Sequence, residues 1–426
     1  VPAGPLVVLD EAVQLRAIHA GAGGIAGEHR LFLLPSPCPH DPEARRLYWV
    51  DSVSRLIRSH DPATGICQSI PTPSAVGSIG LATLASRVLG YVRDVVVAHA
   101  FGAGPLTDAF FVAFRIPNFM RRLSAEGSFS MAFVPVLAEY KATRSAGEVK
   151  ALVDRVAGTL TAALLVLTAI IILLAPQLAR VIAPNFDPAQ MAMLTDLLRV
   201  TFPYALFISL ASLVGAILNS YQRFAIPALS PVLLNLAMIT AALAAREWFD
   251  SSVMVLGWGV FAAGMLQLAF QLPSLARLGL LPRPRLDFAH AGVRRILTLM
   301  VPTLFGSSIA QINLLLDTVI AAKLTDGSQS WLSLADRFLE LPLGVFGVAL
   351  GTVILPALAR HHVGTDRAGF SNALDWGLRM TLLISIPAML GLLLLAEPLI
   401  ATIFQHGEFT AFDTRMTALA VYGLSF

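Results

Sequence analysis

Charge is what this sequence of 426 residues has least of: Asp, Glu, Lys and Arg make up only 13% of it. Ordinary soluble domains carry roughly 25%, and a soluble protein of this length could not keep its surface wetted on half of that. Hydrophobic residues account for 56%. Length alone would allow roughly two to four soluble domains, but repeated long apolar runs point to one membrane bundle. Cysteine is nearly absent. Cys38 and Cys67 form no CxxC, no Cys/His cluster and no disulfide framework. The net charge of +3 gives no reason to expect a nucleic-acid partner. Residues 1–30 lack a basic start followed by one compact apolar core, so no cleavable signal peptide is expected. Gly102-Ala103-Gly104-Pro105 lacks the lysine and the preceding strand of a phosphate-binding loop, so the chain is not expected to hydrolyse ATP. His361-His362 reads as loop polar groups rather than metal ligands. Neither a metal nor a cofactor is expected.

Composition shifts near residue 76. Before it the chain alternates polar and apolar residues, as in Arg46-Leu47-Tyr48-Trp49-Val50-Asp51, and then turns at Pro62-Ala63-Thr64-Gly65. That pattern predicts a short strand, a polar turn and another strand. The stretch RLYWVDSVSRLIRSHDPATG (46–65) resembles one blade of a gluconolactonase-type six-bladed propeller. One blade cannot close a propeller or bury its own faces. Residues 1–76 are therefore expected to be a foreign segment that does not fold independently, and a lactonase activity is not expected of them.

After residue 76 the apolar runs come in series. Spanning helices are expected at 77–99, 107–122 with an amphipathic continuation to 142, 156–183, 197–219, 227–245, 253–276, 296–322, 331–359 and 376–404, and a tenth begins near 412. Each complete run is about long enough, at ~1.5 Å per residue, to cross a ~30 Å hydrocarbon layer. The connecting loops alternate. Arg121, Arg122, Lys141, Arg144, Lys150 and Arg155 lie between the second and third spans, and Arg277, Arg283, Arg285, Arg294 and Arg295 follow the sixth. The loop around Pro184-Asn185-Phe186-Asp187 has no base, and Glu408 and Asp413 follow the ninth span. This alternation puts the ends of the even-numbered spans in the cytoplasm.

Two stretches about 220 residues apart resemble each other. Asp94, Phe114-Arg115-Ile116-Pro117 and Phe133-Val134-Pro135-Val136-Leu137-Ala138 recur in order as Asp317, Arg337-Phe338-Leu339-Glu340-Leu341-Pro342 and Ile354-Leu355-Pro356-Ala357-Leu358-Ala359. Six spans separate the copies, so both face the same way, and a parallel repeat places a substrate path between two lobes. The lobes are expected at 77–295 and 296–426. Pseudo-symmetry of this kind favours a transporter over a membrane enzyme.

Charged residues inside a span cost about 2.5–3.5 kcal/mol each on insertion scales, so those present must face a wet cavity or one another. Arg87, Arg93 and Asp94 lie on the first span, Asp108, Arg115, Arg121 and Arg122 on the second, and Asp336, Arg337 and Glu340 on the eighth. Arg121 and Arg122 either snorkel to headgroups or line a cavity. Arg87 and Arg93 either pair with Asp94 or Asp108 or face that cavity. The Asp336, Arg337 and Glu340 group fits a structural cluster as well as a ligand contact. Asp317, expected to be buried in the seventh span, either binds a cation or pairs with Lys323. Arginine is the informative choice, because its planar fork makes bidentate bonds to phosphate oxygens and does not deprotonate. A cavity of Arg87, Arg93, Arg121 and Arg337 suits a phosphate-bearing substrate rather than a cationic drug.

Several motifs carry a family resemblance. They are Ser86-Arg87-Val88-Leu89-Gly90-Tyr91-Val92-Arg93-Asp94, Thr107-Asp108-Ala109-Phe110-Phe111-Val112-Ala113-Phe114, Arg121-Arg122-Leu123-Ser124-Ala125-Glu126-Gly127 and Ala335-Asp336-Arg337 with Gly347-Val348-Ala349-Leu350-Gly351-Thr352. From about residue 78 to 426 the chain resembles the MurJ (MviN) family of lipid II flippases. The resemblance implies an all-α polytopic membrane protein with the multidrug/oligosaccharidyl-lipid/polysaccharide exporter fold, usually fourteen helices in two parallel-repeat lobes, of which the last four are absent here. It implies a multi-pass protein of the bacterial cytoplasmic (inner) membrane that moves undecaprenyl-pyrophosphoryl disaccharide-pentapeptide between leaflets by alternating access. Its partners would be lipid II, membrane lipids and a monovalent cation. The family's cavity arginines map onto Arg87, Arg93, Arg121 and Arg337, with Asp94, Asp108 and Arg122 beside them and Asp317 at a cation site. The alternatives are a flippase of another polyprenyl-linked glycan and a non-transporting fragment.

Overall fold

The computed structural model describes the backbone of residues 73–125, 128–248, 252–342 and 367–425, with helical residues 354 and 358 and six short strands before residue 72. Side chains are described from residue 80 onward, except 123–128, 246–251, 303–312, 314, 341–353, 355–357, 359–368 and 426. Among the strands, β1 (Val7–Leu9) pairs with β2 (Leu15–Ala17). β3 (Arg30–Phe32), β4 (Leu47–Asp51), β5 (Leu56–His60) and β6 (Cys67–Pro71) form an antiparallel meander in chain order. In its register Trp49 lies opposite Arg58, and Arg58 opposite Ser69. The strand at 46–51 is thus as expected, and the predicted turn at 62–65 lies between β5 and β6, outside the described residues.

The helices follow. α1 (Pro73–Phe101) stops at Gly102, whose left-handed φ of 61° closes the helix by donating to the Ala98 carbonyl, and α2 (Pro105–Ala125) opens on a proline. That pairing uses glycine where φ is positive and proline where no N–H is needed. α3 (Ser128–Thr143) follows, and residues 126 and 127 between α2 and α3 lie outside the described residues. α4 (Ala146–Leu173) starts at a reciprocal capping box between Ser145 and Glu148. The expected third span is broken at Leu174, because Pro176 in the first turn of α5 (Ala175–Ile182) cannot continue the hydrogen-bond ladder. Pro203 likewise separates α6 (Pro188–Thr201) from α7 (Pro203–Ser220) at Phe202. α8 (Ala225–Trp248), α9 (Met254–Ala276), α10 (Ala291–Ala321) and α11 (Ser328–Pro342) come next. The rest of the expected eighth span, including most of the repeat segment at 354–359, lies outside the described residues. α12 (Arg367–Phe404) starts nine residues before the predicted span, and α13 (Ala411–Leu424) sits behind a Thr410/Asp413 capping box.

Among the described residues, five helical segments are long and apolar enough to cross a membrane: Ala146–Leu173, Pro188–Ser220, Ala225–Ala245, Met254–Ala276 and Gly369–Phe404. α1 and α2 are long enough but interrupted by Arg87, Arg93 and Asp94 and by Asp108, Arg115, Arg121 and Arg122. Those interruptions are the functional candidates.

The loops sort to two ends, as their charges predict. At the base-rich end Arg155 meets Asp287 at 2.9 Å and Arg295 meets Glu139 at 2.7 Å. At the base-poor end Gln190 Nε2 donates to Asp326 at 2.9 Å, and Glu408 N donates to the His99 carbonyl at 3.1 Å. Three apolar cores lie between. One joins α2, α6, α7, α8 and α9 around Phe110, Tyr204 and Leu197. A second holds α3 and α4 against α7 through Phe133, Leu152 and Ile217. The third packs Ala98 of α1 against Leu334 and Phe338 of α11, Ile400 and Phe404 of α12 and Val421 of α13.

Candidate functional site

α1, α2, α8 and α11 meet in a polar seam within this apolar frame. A membrane helix with an arginine in mid-span must bring its counter-charge with it or find one on a neighbour, and here it does both. Arg93 donates to the carboxylate of the next residue, Asp94, through Nε at 2.9 Å and a terminal nitrogen at 2.6 Å. Its other terminal nitrogen donates to Asn235 Oδ1 of α8 at 3.1 Å, and Asn235 in turn donates to the Ser86 carbonyl at 2.9 Å. Arg93, Asp94 and Asn235 are all buried.

The second oxygen of Asp94 faces α11, where Arg337 Nε stands 2.8 Å away. Arg337 also donates to Glu340 at 2.8 Å, and Glu340 lies 3.8 Å from Arg122 of α2. One turn along, Arg115 of α2 pairs with Asp336 of α11 at 3.3 Å. Ion pairs therefore run unbroken from Arg93 through Asp94, Arg337 and Glu340 to Arg122. Arg121 donates to Asn118 at 2.9 Å. Arg87, on α1, is exposed and forms no ion pair among the described residues. Among the described residues of this seam, Arg93, Arg115, Arg121, Arg122 and Arg337 stand against Asp94, Asp336 and Glu340, with Asp317 near Asp336.

The structure brings Arg93, Asp94, Arg122 and Arg337 into one network of ion pairs, in which Arg93 pairs with Asp94, one of the alternatives open in the sequence, but it takes Asp108 elsewhere. Asp108 is buried at the start of α2 and accepts from Gly327 N at 2.7 Å, Ser330 N at 2.9 Å and Ser330 Oγ at 2.6 Å. It thus caps the N-terminus of α11 from another helix, satisfying amides that would otherwise lack partners. Neither Arg87 nor Arg93 pairs with it. Asp317 also departs from expectation. It is exposed on α10, not buried, makes no ion pair with Lys323 among the described residues, and lies near enough to Asp336 of α11 for their like charges to interact. No three His, Cys, Asp or Glu side chains converge as a metal site among the described residues. Glu126 lies outside the residues whose side chains are described. Asn235 was missed in the sequence reading. Its only signal there is a lone amide in the apolar run Leu233-Leu234-Asn235-Leu236.

Outside the membrane-spanning stretches, His290 precedes α10 at the base-rich end. Burial and the nearby Arg155 guanidinium push its imidazole below the usual histidine range, and Asp287 opposes them.

Comparisons with known proteins identify the family and the fold. Residues 97–426 match the family model of the lipid II flippase MurJ. The chain is 46% identical over 352 residues to a probable lipid II flippase MurJ of Vibrio cholerae, covering 80% of this chain and 67% of that protein. It is 44% identical over 350 residues to the lipid II flippase MurJ of Burkholderia cenocepacia, covering 80% and 68%. Among solved structures it resembles a lipid II flippase MurJ in an inward closed conformation, with a TM-score of 0.70 and 28% identity over 82% of this chain and 71% of that one. An inward-facing multidrug resistance MATE family transporter of the MOP superfamily shares the fold at a TM-score of 0.62 and 13% identity, covering 79% and 76%.

Proposed function

This chain belongs to the MurJ family of lipid II flippases, and on that premise we propose that its arginine seam grips the pyrophosphate of lipid II while the two lobes tilt past each other. It is a multi-pass protein of the bacterial inner membrane, and its work is transport for peptidoglycan synthesis rather than catalysis. Undecaprenyl-pyrophosphoryl-MurNAc-pentapeptide-GlcNAc is the cargo, carried from the cytoplasmic to the periplasmic leaflet by alternating access.

One observation carries the assignment of the site. Arg337 is shared between Asp94 of the opposite lobe and Glu340 of its own helix, each at 2.8 Å. A pyrophosphate entering the seam competes with those carboxylates for the same guanidinium fork, and charge-assisted bidentate bonds favour the phosphate oxygens. Cargo binding and release of the α1–α11 contact then become one event, because a single fork cannot serve both partners fully. Arg87, Arg121 and Arg122 supply further positive charge for the cargo. Arg93 and Asp94 form the switching pair, and Asp108 holds the base-poor end shut. The membrane potential is the energy source: about 2.3 kcal/mol per unit charge per 100 mV suffices to bias two states of similar energy. A monovalent cation at Asp317 gains no support from converging ligands among the described residues.

Depleting the protein in its host and adding a lipid II-cleaving enzyme confined to the periplasm tests this reading. Cleavable lipid II should fall while total lipid II rises. Unchanged lipid II together with accumulation of a different polyprenyl-linked glycan would overturn it in favour of another flippase of the same fold.

A further inference from the structure

At the base-rich end, away from the seam, the loop between α9 and α10 folds back over the first turns of α4. Its backbone is held at three places. Arg283 N donates to Asp154 Oδ1 at 2.8 Å and Arg285 N to the Asp154 carbonyl at 3.1 Å. A Cβ at Gly158 would stand 2.4 Å from Arg285 backbone atoms, so the loop lies flat on α4 where only glycine fits. Asp287 pairs with Arg155 at 2.9 Å and accepts from the amides of Ala289 and His290 at 3.1 Å.

Between loop and helix lies a cavity of about 530 Å³, lined by Lys150, Asp154, Arg155, Arg283, Arg285 and Leu281 among others. Lys150 is paired with Asp154, and Arg155 with Asp287. Arg283 and Arg285 are exposed and form no ion pair among the described residues, although their backbones are pinned. Beside them Leu281, Leu286 and Phe288 are 47%, 65% and 58% exposed. Water is a poor setting for such a cluster, and the loop sits at the depth where a bilayer would cover it. From Arg155 to Leu165, the first of the strongly exposed apolar residues along α4, is ten residues, or about 15 Å of helix. The uncharged run of α4 nevertheless begins at Val156, directly after Arg155, and reaches Leu173, about 27 Å at ~1.5 Å per residue, so a hydrocarbon layer of ~30 Å leaves the cavity at its edge, among the headgroups, while Leu165, Val166, Ile170 and Leu173 face the acyl chains.

We propose that this cavity binds the headgroup phosphate of an anionic phospholipid of the cytoplasmic leaflet, with Leu286 and Phe288 seated among its acyl chains. Two preorganised guanidiniums next to exposed apolar side chains match a ligand that is charged at one end and oily at the other. The site rests on the cytoplasmic placement of the base-rich end, not on the lipid II reading, and shares none of the seam's residues.

Native mass spectrometry of the full chain in detergent tests it, with equal phosphatidylglycerol and phosphatidylcholine as probes. The wild type should retain phosphatidylglycerol preferentially. The double substitution R283Q/R285Q should lower that retention about 20-fold, from two lost headgroup contacts. R283K/R285K should restore most of it, and R180Q, at the opposite end, should change nothing. Because the two arginine side chains are exposed, the double variant should keep the wild-type melting temperature, which separates lost binding from lost fold. Equal retention by R283Q/R285Q, or no preference over phosphatidylcholine, would overturn the proposal. Displacement by millimolar inorganic phosphate would mean a site for free anions, and displacement by lipid II would assign the cavity to the cargo's path. Either result also overturns it, and the second would leave the seam's role standing.

Discussion

The Asp94 carboxylate on α1 and the Arg337 guanidinium on α11, 243 residues later in the chain, stand 2.8 Å apart. Each keeps one other partner, Arg93 on the first oxygen of Asp94 and Glu340 beside Arg337, so changing either leaves one Asp94 oxygen or one edge of the Arg337 fork unpaired in the seam. Breaking one partner of a buried pair typically costs about 3–5 kcal/mol. Asp94→Asn should therefore lower the melting temperature and loosen α1 from α11, and it should do so more than Arg337→Gln, because Asp94 is the more deeply buried. Thermal unfolding together with spin-label distances between the two helices reads both effects. A variant with wild-type stability and unchanged distances would remove the latch from the mechanism.

Arg87 gives the opposite prediction. It is exposed and has no ion pair among the described residues, so Arg87→Ala should leave stability within about 0.5 kcal/mol of wild type, as for other surface positions. Lipid II delivery should nevertheless fall at least tenfold if the side chain reads phosphate. Arg87→Lys should recover only part of it, since an ammonium lacks the bidentate fork. Full growth with either variant would contradict a phosphate-gripping role.

Asp108 should behave as a clamp rather than a ligand. Replacing it with Ala removes the acceptor for the amides of Gly327, just before α11, and Ser330, in its first turn, and for the Ser330 hydroxyl. Loss of a helix cap costs about 0.5–2 kcal/mol. Asp108→Asn, which keeps one acceptor oxygen, should cost less. Cysteine labelling of residues near 327–330 from the base-poor side should become faster in Asp108→Ala, and unaltered labelling would show that the clamp does not gate that end.

His290 sets a pH dependence at the other end. Its imidazole is pushed below the free value of about 6.5, so between that value and its lowered one the unfolded chain binds the proton and the folded chain does not. Stability is then full above about pH 6.5 and falls as pH drops through the window beneath it. Amide exchange in the first turn of α10 should accelerate over that range, and His290→Gln should abolish the change. A pH response that survives the substitution would assign it to another group.

Sequence alone determined the membrane class, the order of most helices and the two ends of the bundle. Apolar run length, positive-inside asymmetry and capping residues all act within a few residues of themselves, and prolines at 176 and 203 were present in the sequence though their breaks at Leu174 and Phe202 were not foreseen. The arginines of the seam were also legible, because a charge in an apolar run costs energy wherever the chain places it. What each one touches was not. That Asp94 serves two arginines, that Asp108 caps a helix 219 residues away and that Asp317 lies near Asp336 depend on which helix faces meet. Those pairings are set by packing over the whole bundle, and only the tertiary structure fixes the distances over which carboxylates and guanidiniums act.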